Sequence, residues 1–165
     1  MKKFLAICLT FVVACSCFAF VSTAETEASS SNEVTVSKTI EQLDGGFVLE
    51  TVVTEETLGK TARANEYVRV GTKTNRLKNT SGEVLWTFTL RGQYDVVEGV
   101  SSVCTLASYS HSISDSSWSL DSASTSKSGN KAMASATFKK KILFVTTDTK
   151  TINLTLTCDK NGNLS

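Results

Sequence analysis

A single histidine, His111, is all the imidazole in 165 residues, and there is no proline. One histidine leaves little material for a His-based metal site or a proton relay. The sequence also has no phosphate-binding loop, no dinucleotide glycine pattern, no zinc spacing and no calcium loop. No Gly-x-Ser-x-Gly elbow is present. Formal net charge is only +1, which excludes the strongly basic footprint of a general nucleic-acid binder. Adjacent carboxylates occur as Glu55-Glu56, but neighbours on a strand point to opposite faces and do not converge on one substrate. Beyond the first two dozen residues, no segment combines a helical period with capping residues.

A Ser–His–Asp arrangement can be drawn from Ser110, His111, Ser112 and Asp115. Serine, however, fills 13 of the 28 positions from Ser101 to Ser128, so its adjacency to His111 carries almost no information. The sequence therefore leads to an expectation of no enzyme, no catalytic residue, no cofactor and no resident metal.

What is abundant is serine and threonine, 22 and 23 residues, in a chain that is 41% hydrophobic and 20% charged. That balance belongs to one folded domain rather than a disordered chain. Lys2 and Lys3 precede Phe4–Phe20, 17 residues without a charge, and Ser22-Thr23-Ala24 then places small residues before a cut after Ala24. This is the plan of a secretory signal peptide over residues 1–24. The run is at the short limit for a bilayer span, so no stable span is expected once the signal is removed. Val12-Val13-Ala14-Cys15 resembles a bacterial lipobox, which makes a lipid anchor on Cys15 the lesser alternative to release.

Cleavage removes Cys8, Cys15 and Cys17 and leaves Cys104 and Cys158, which allow one intramolecular disulfide in an oxidising compartment. The other reading is two free buried thiols. Charge is uneven as well. Residues 25–66 hold nine acids against three bases, and residues 67–165 hold seven acids against twelve bases. Opposite halves imply intramolecular attraction or an acidic pro-segment over a basic body, and the plainer reading, which is the one expected here, is a solvated acidic hairpin.

Residues 25–32 read as a polar lead-in. Residues 33–57 read as a hairpin turning at Asp44-Gly45-Gly46, and Leu58–Asn65 as a linker. The rest is strand after strand. Trp86, Phe88 and Leu90 alternate with Thr87, Thr89 and Arg91. Cys104 and Leu106 share a face, as do Trp118 and Leu120. Ala132, Ala134, Ala136 and Phe138 repeat the pattern, and Ile152, Leu154, Leu156 and Cys158 close it. Turns are expected at Asn79–Gly82, Asp95–Gly99, Ser128–Asn130 and Asp148–Lys150, with Ile142–Thr147 inside a strand and a polar tail from Asp159.

The expected fold is all-β: an antiparallel β-sandwich of immunoglobulin-like architecture over residues 66–165, preceded by residues 25–65 (lead-in, acidic hairpin and linker) and by the signal peptide. The Cys104–Trp118–Cys158 order suits such a sandwich, although Leu156 stands where an immunoglobulin domain carries tyrosine. Lys139, Lys140 and Lys141 form the densest cation cluster. They are a candidate patch for anionic ligands, against the plainer reading of lysines that solvate a bend or edge strand.

The block Ser81–Leu90, then Cys104-Thr105, Trp118, Ser126–Asn130 and the ending Thr151–Ser165, resembles small exported β-rich proteins of Gram-positive, clostridial-type gut bacteria. The likeness covers roughly residues 66–165. It implies a β fold and export, and it carries over no catalytic residue. A secreted, non-catalytic binding module with an extracellular or cell-surface partner is the functional expectation. The alternative is a secreted antibacterial or toxin-like protein whose residues 25–64 are removed.

Overall fold

Apolar residues at every second position, interrupted by glycine and asparagine turns, produce a chain made almost wholly of strands. The computed structural model describes residues 33–56 and 65–165. The expected signal peptide, the candidate lipid-anchor Cys15, the expected lead-in and nearly all of the expected linker lie outside the described residues. Strands β1 (Glu33–Gln42), β2 (Val48–Glu56), β3 (Glu66–Lys78), β4 (Val84–Val97) and β5 (Ser101–Ile113) form one sheet in that order. Strands β6 (Trp118–Ser128), β7 (Lys131–Ile142) and β8 (Val145–Thr157) form a second. All pairings are antiparallel. The protein is an all-β sandwich of two antiparallel sheets. Within each sheet consecutive strands pair, and the chain passes from one sheet to the other between β5 and β6, giving two meanders that lack the Greek-key crossover of immunoglobulin domains.

The acidic hairpin does not stand apart from the sandwich. β2 pairs with β3 from Val48↔Lys78 to Glu56↔Val70, so residues 33–56 continue the larger sheet. The charge asymmetry has the same origin. Glu50 is 5% exposed and accepts Lys38 at 2.8 Å, Lys78 at 3.0 Å and Arg76 at 3.1 Å. Arg91 makes a two-point contact with Glu56 at 2.8 and 3.2 Å, and Arg69 pairs with Glu55. Three acids of β2 thus take up four cations of β3 and β4, so the expected solvated acidic hairpin is corrected to an intramolecular attraction between the two halves.

The core lies between the sheets. β7 packs over β4 and β5, and β8 over β3 and β4. Small residues on β7 (Ala132, Ala134, Ala136) face large ones on β4 (Trp86, Phe88, Leu90, Tyr94), so the two layers interdigitate. Trp86 stacks on Phe138 with centroids 4.2 Å apart and planes 2° from parallel. Phe88 meets the same ring edge-on at 6.2 Å. The outer faces carry hydroxyls instead, with Thr54 bonded to Thr72 at 2.7 Å and Thr74 to Thr89 at 3.0 Å. Threonine there combines a β-branched carbon that fits the pleat with a hydroxyl that bonds across it, even where the residue is buried, as at Thr74.

Three local expectations are corrected. The last hairpin turns at Leu143-Phe144, not at Asp148–Lys150, because Ile142 pairs with Val145 across a two-residue loop. Leu106 does not share the buried face of Cys104. A bulge leaves Thr105 unpaired between Tyr94↔Cys104 and Gln93↔Leu106, and this slips the alternation. The tail is structured: Asp159 accepts the backbone N–H of Asn161 and Asn163, Ser165 exchanges hydrogen bonds with Thr157, and Leu164 enters the core. Leu164 packs against Gly71, where the lack of a side chain admits it.

Candidate functional site

Lys139, Lys140 and Lys141 lie at the far end of β7, which is the central strand of its sheet and not an edge. Successive strand residues alternate between faces, so the three do not form a patch on one side. Lys139 reaches Asp121 at 2.9 Å on the solvent face. Lys140 turns the other way, with its ammonium 5.7 Å from the centre of the Phe47 ring. Lys150 on β8 reaches the same ring at 5.9 Å and Asp148 at 3.4 Å. Lys141 is exposed and makes no ion pair among the described residues. Its backbone N–H donates to Ser117 at 2.8 Å.

Phe47 is half-buried at the mouth of an aromatic column. It meets Trp118 edge-on at 6.3 Å, and Trp118 meets Trp86 at 6.4 Å. Both tryptophans are core residues, 3% and 0% exposed, and both indole N–H groups are buried without a partner. Beside them a cleft of about 300 Å³ opens between β2 and β8, lined by Leu43, Leu49, Leu77, Trp86 and Ile152, with Glu41, Asp44 and Lys150 among its polar residues. The cleft and the lysines therefore meet at one end of the sandwich, with Lys150 common to both.

The most prominent feature of that end lies just beyond the lysines. Ile142 is 53% exposed, Leu143 87%, Phe144 100% and Val145 64%. Other exposed apolar residues sit on β1 (Val34, Val36, Ile40), in the β4–β5 turn (Val100, 73%) and on β5 (Val103, Leu106, Tyr109), and none of them directly follows another in the chain. At the β7–β8 tip four follow one another. Leu143 and Phe144 moreover occupy the left-handed region, with φ of 48° and 68°. A two-residue hairpin loop with positive φ at both positions ordinarily selects Asn-Gly. Leucine and phenylalanine there carry backbone strain of about 1–3 kcal/mol each, with no burial to offset it.

The sequence placed the lysines but missed the tip, because Ile142-Leu143-Phe144-Val145 reads as the middle of a strand. A signal was present. Apolar alternation runs through Ala132–Phe138 and again through Ile152–Leu156, nearly symmetrically about residues 143–144. Such symmetry is what a hairpin centred there produces.

His111 is exposed on β5, and no hydrogen bond or ion pair joins it to Asp115 among the described residues. Asp115 instead accepts the backbone N–H of Ser117 at 2.9 Å, and that bond holds its carboxyl below the usual range. Cys104 and Cys158 are both free thiols in this structure and both are buried in the core. Their backbone N–H groups donate to consecutive residues of the β6–β7 turn, Cys104 to Gly129 at 2.8 Å and Cys158 to Asn130 at 3.1 Å. Burial pushes both thiols above the usual range. Among the described residues no group of three or more His, Cys, Asp or Glu side chains is placed to hold a metal, and no helix is long and apolar enough to cross a membrane.

Fold and site together define a two-sheet β-sandwich with an apolar, lysine-collared hairpin at one end. No protein-family model, curated protein or solved structure matches this chain.

Proposed function

We propose that this chain is a secreted, non-catalytic binding module of the exported Gram-positive type that its motifs resemble, and that it engages its partner through the β7–β8 hairpin. The observation that carries the reading is the tip itself. Four successive apolar side chains stand in solvent on a strained turn that the fold does not use for its core. Exposed contiguous apolar surface of this kind marks an interaction site. Export rests on the pattern of residues 1–24 and implies that Cys104 and Cys158 close as a disulfide outside the cell.

The toxin-like alternative requires residues 25–64 to leave. The β2–β3 ladder and the place of Val53 in the core favour a permanent sheet instead. Loss of β2 strips the partners from Arg69, Arg76, Lys78 and Arg91.

The test is retention of the labelled mature protein on intact Gram-positive cells, compared with a Leu143→Asn/Phe144→Gly variant. The wild type is expected to be retained. The variant loses roughly a hundredfold in affinity, as removal of two apolar anchors implies. Equal retention of the two forms overturns the reading.

A further inference from the structure

We infer that the partner of the β7–β8 tip is an anionic lipid bilayer, into whose surface Leu143 and Phe144 wedge while Lys140 and Lys141 meet the headgroups. This deepens the binding reading above and rests on it.

Three observations carry the inference. First, the tip is small. A stable protein interface takes roughly 20–30 residues a side with shaped, hydrogen-bonded surroundings. Here the contiguous apolar surface is four residues, flanked by Thr146, Thr147 and Thr149. A bilayer needs no matching shape and rewards each buried apolar side chain separately.

Second, the depths agree. A strand rises about 3.4 Å per residue, so Lys141 lies about 7 Å and Lys140 about 10 Å back along β7 from Leu143. An apolar tip that reaches roughly 5–10 Å into the headgroup and acyl boundary brings the backbone of both lysines to the phosphate level, where Lys141 reaches the headgroups directly and Lys140 by swinging off Phe47.

Third, the charge is of the right sign. Residues 139–150 hold four lysines and one aspartate. Asp121 neutralises Lys139 and Asp148 neutralises Lys150. Lys141 has no such partner among the described residues, and Lys140 rests over Phe47, with Asp115 near enough to feel its charge. The strained turn fits as well. Its left-handed φ values at Leu143 and Phe144 hold both side chains out at the end of the hairpin, where Asn-Gly gives an easier turn but no wedge.

The experiment is co-sedimentation of the chain beginning at Glu25, which retains every described residue, with large vesicles. One set is phosphatidylcholine alone and the other contains a third phosphatidylglycerol. Binding is expected to be at least about tenfold stronger to the anionic vesicles and to weaken as salt rises. Leu143→Asn/Phe144→Gly abolishes it. Lys140→Gln/Lys141→Gln removes the preference for anionic lipid. The tip variant carries the turn's favoured residues, so its thermal midpoint reports that it is folded.

Equal binding by the tip variant, or no binding to either vesicle, overturns the inference. If vesicles are not bound but cell retention still depends on the tip, the partner is a surface protein or wall polymer, and only the lipid assignment falls. If the tip drives concentration-dependent dimerisation in centrifugation and vesicles are ignored, the partner is a second copy. If cell retention is also independent of the tip, both readings fall.

Discussion

The phenol of Tyr94 on β4 donates a 2.7 Å hydrogen bond to the carbonyl oxygen of Leu156 on β8, a polar bond that crosses the core from one sheet to the other. Tyr94 is fully buried, and burial pushes its hydroxyl well above the ordinary phenol range, so it remains a donor throughout the working pH range. Tyr94→Phe keeps the ring but removes the donor. The expected cost is about 1–3 kcal/mol, read as a lower urea midpoint at unchanged slope. A midpoint within error of wild type contradicts this role.

Glu50 gives the fold a defined acid sensitivity. Hydrogen bonds from Lys38 and Lys78, joined by Arg76, lower its pKa from 4.5 to about 2 against the opposing effect of burial. A carboxyl with a depressed folded-state pKa stabilises above its ordinary value and loses that contribution as pH falls through the folded one. Glu50→Gln is therefore expected to cost about 1–3 kcal/mol at neutral pH, a discounted range because the three cations are partly in water. The gap between wild type and variant should close between about pH 4.5 and pH 2. Denaturant titrations across that window check it, and a gap that does not change with pH contradicts it.

Gly71 is fixed by close approach, not by backbone angle. A methyl group there meets the Leu164 side chain and lies 2.9 Å from the Thr54 carbonyl oxygen. Gly71→Ala is expected to lose about 1–3 kcal/mol. Adding Leu164→Ala does not restore the loss, because the Thr54 carbonyl is backbone and cannot swing aside. Recovery of wild-type stability by the double variant contradicts the model of the contact.

The tip substitution has a stability consequence separate from binding. Leu143→Asn/Phe144→Gly supplies the residues that the left-handed turn accepts most easily, so the thermal midpoint rises, by an amount equivalent to about 1–3 kcal/mol. A binding element that costs stability in this way is the usual sign of a trade between function and fold. A lower midpoint contradicts the strain argument.

For the cysteines, protein recovered from the medium is expected to be lighter by two hydrogens than after reduction, and full reduction should lower its midpoint. Identical masses before and after reduction contradict a closed bond. In that case the buried, raised thiols predict slow native alkylation that accelerates on unfolding.

The sheet-forming alternation was legible because period-2 patterning follows directly from strand geometry, and Trp86, Phe88, Ala134 and Leu154 fall where it puts them. The glycine turns at 44–46, 79–82 and 128–130 were legible for the same local reason. The Leu106 slip was not, since a bulge depends on the register of two strands and not on either one alone. The tip stayed hidden because its turn contradicts ordinary turn chemistry. Sequence rules fail most readily where a local preference has been overridden. The lysines were visible, but their division between two faces and onto Asp121 and Phe47 requires partners more than fifteen residues away in the chain.

The sequential pairing of strands within each of the two sheets also bears on how the molecule assembles. Every ladder joins neighbours in the chain, so no strand has to wait for a distant one before it can pair. A chain emerging from one end first can therefore zip progressively within each sheet. The contact between Tyr94 and Leu156 forms only when the eighth strand arrives, and that makes it a late clasp on a structure built in order.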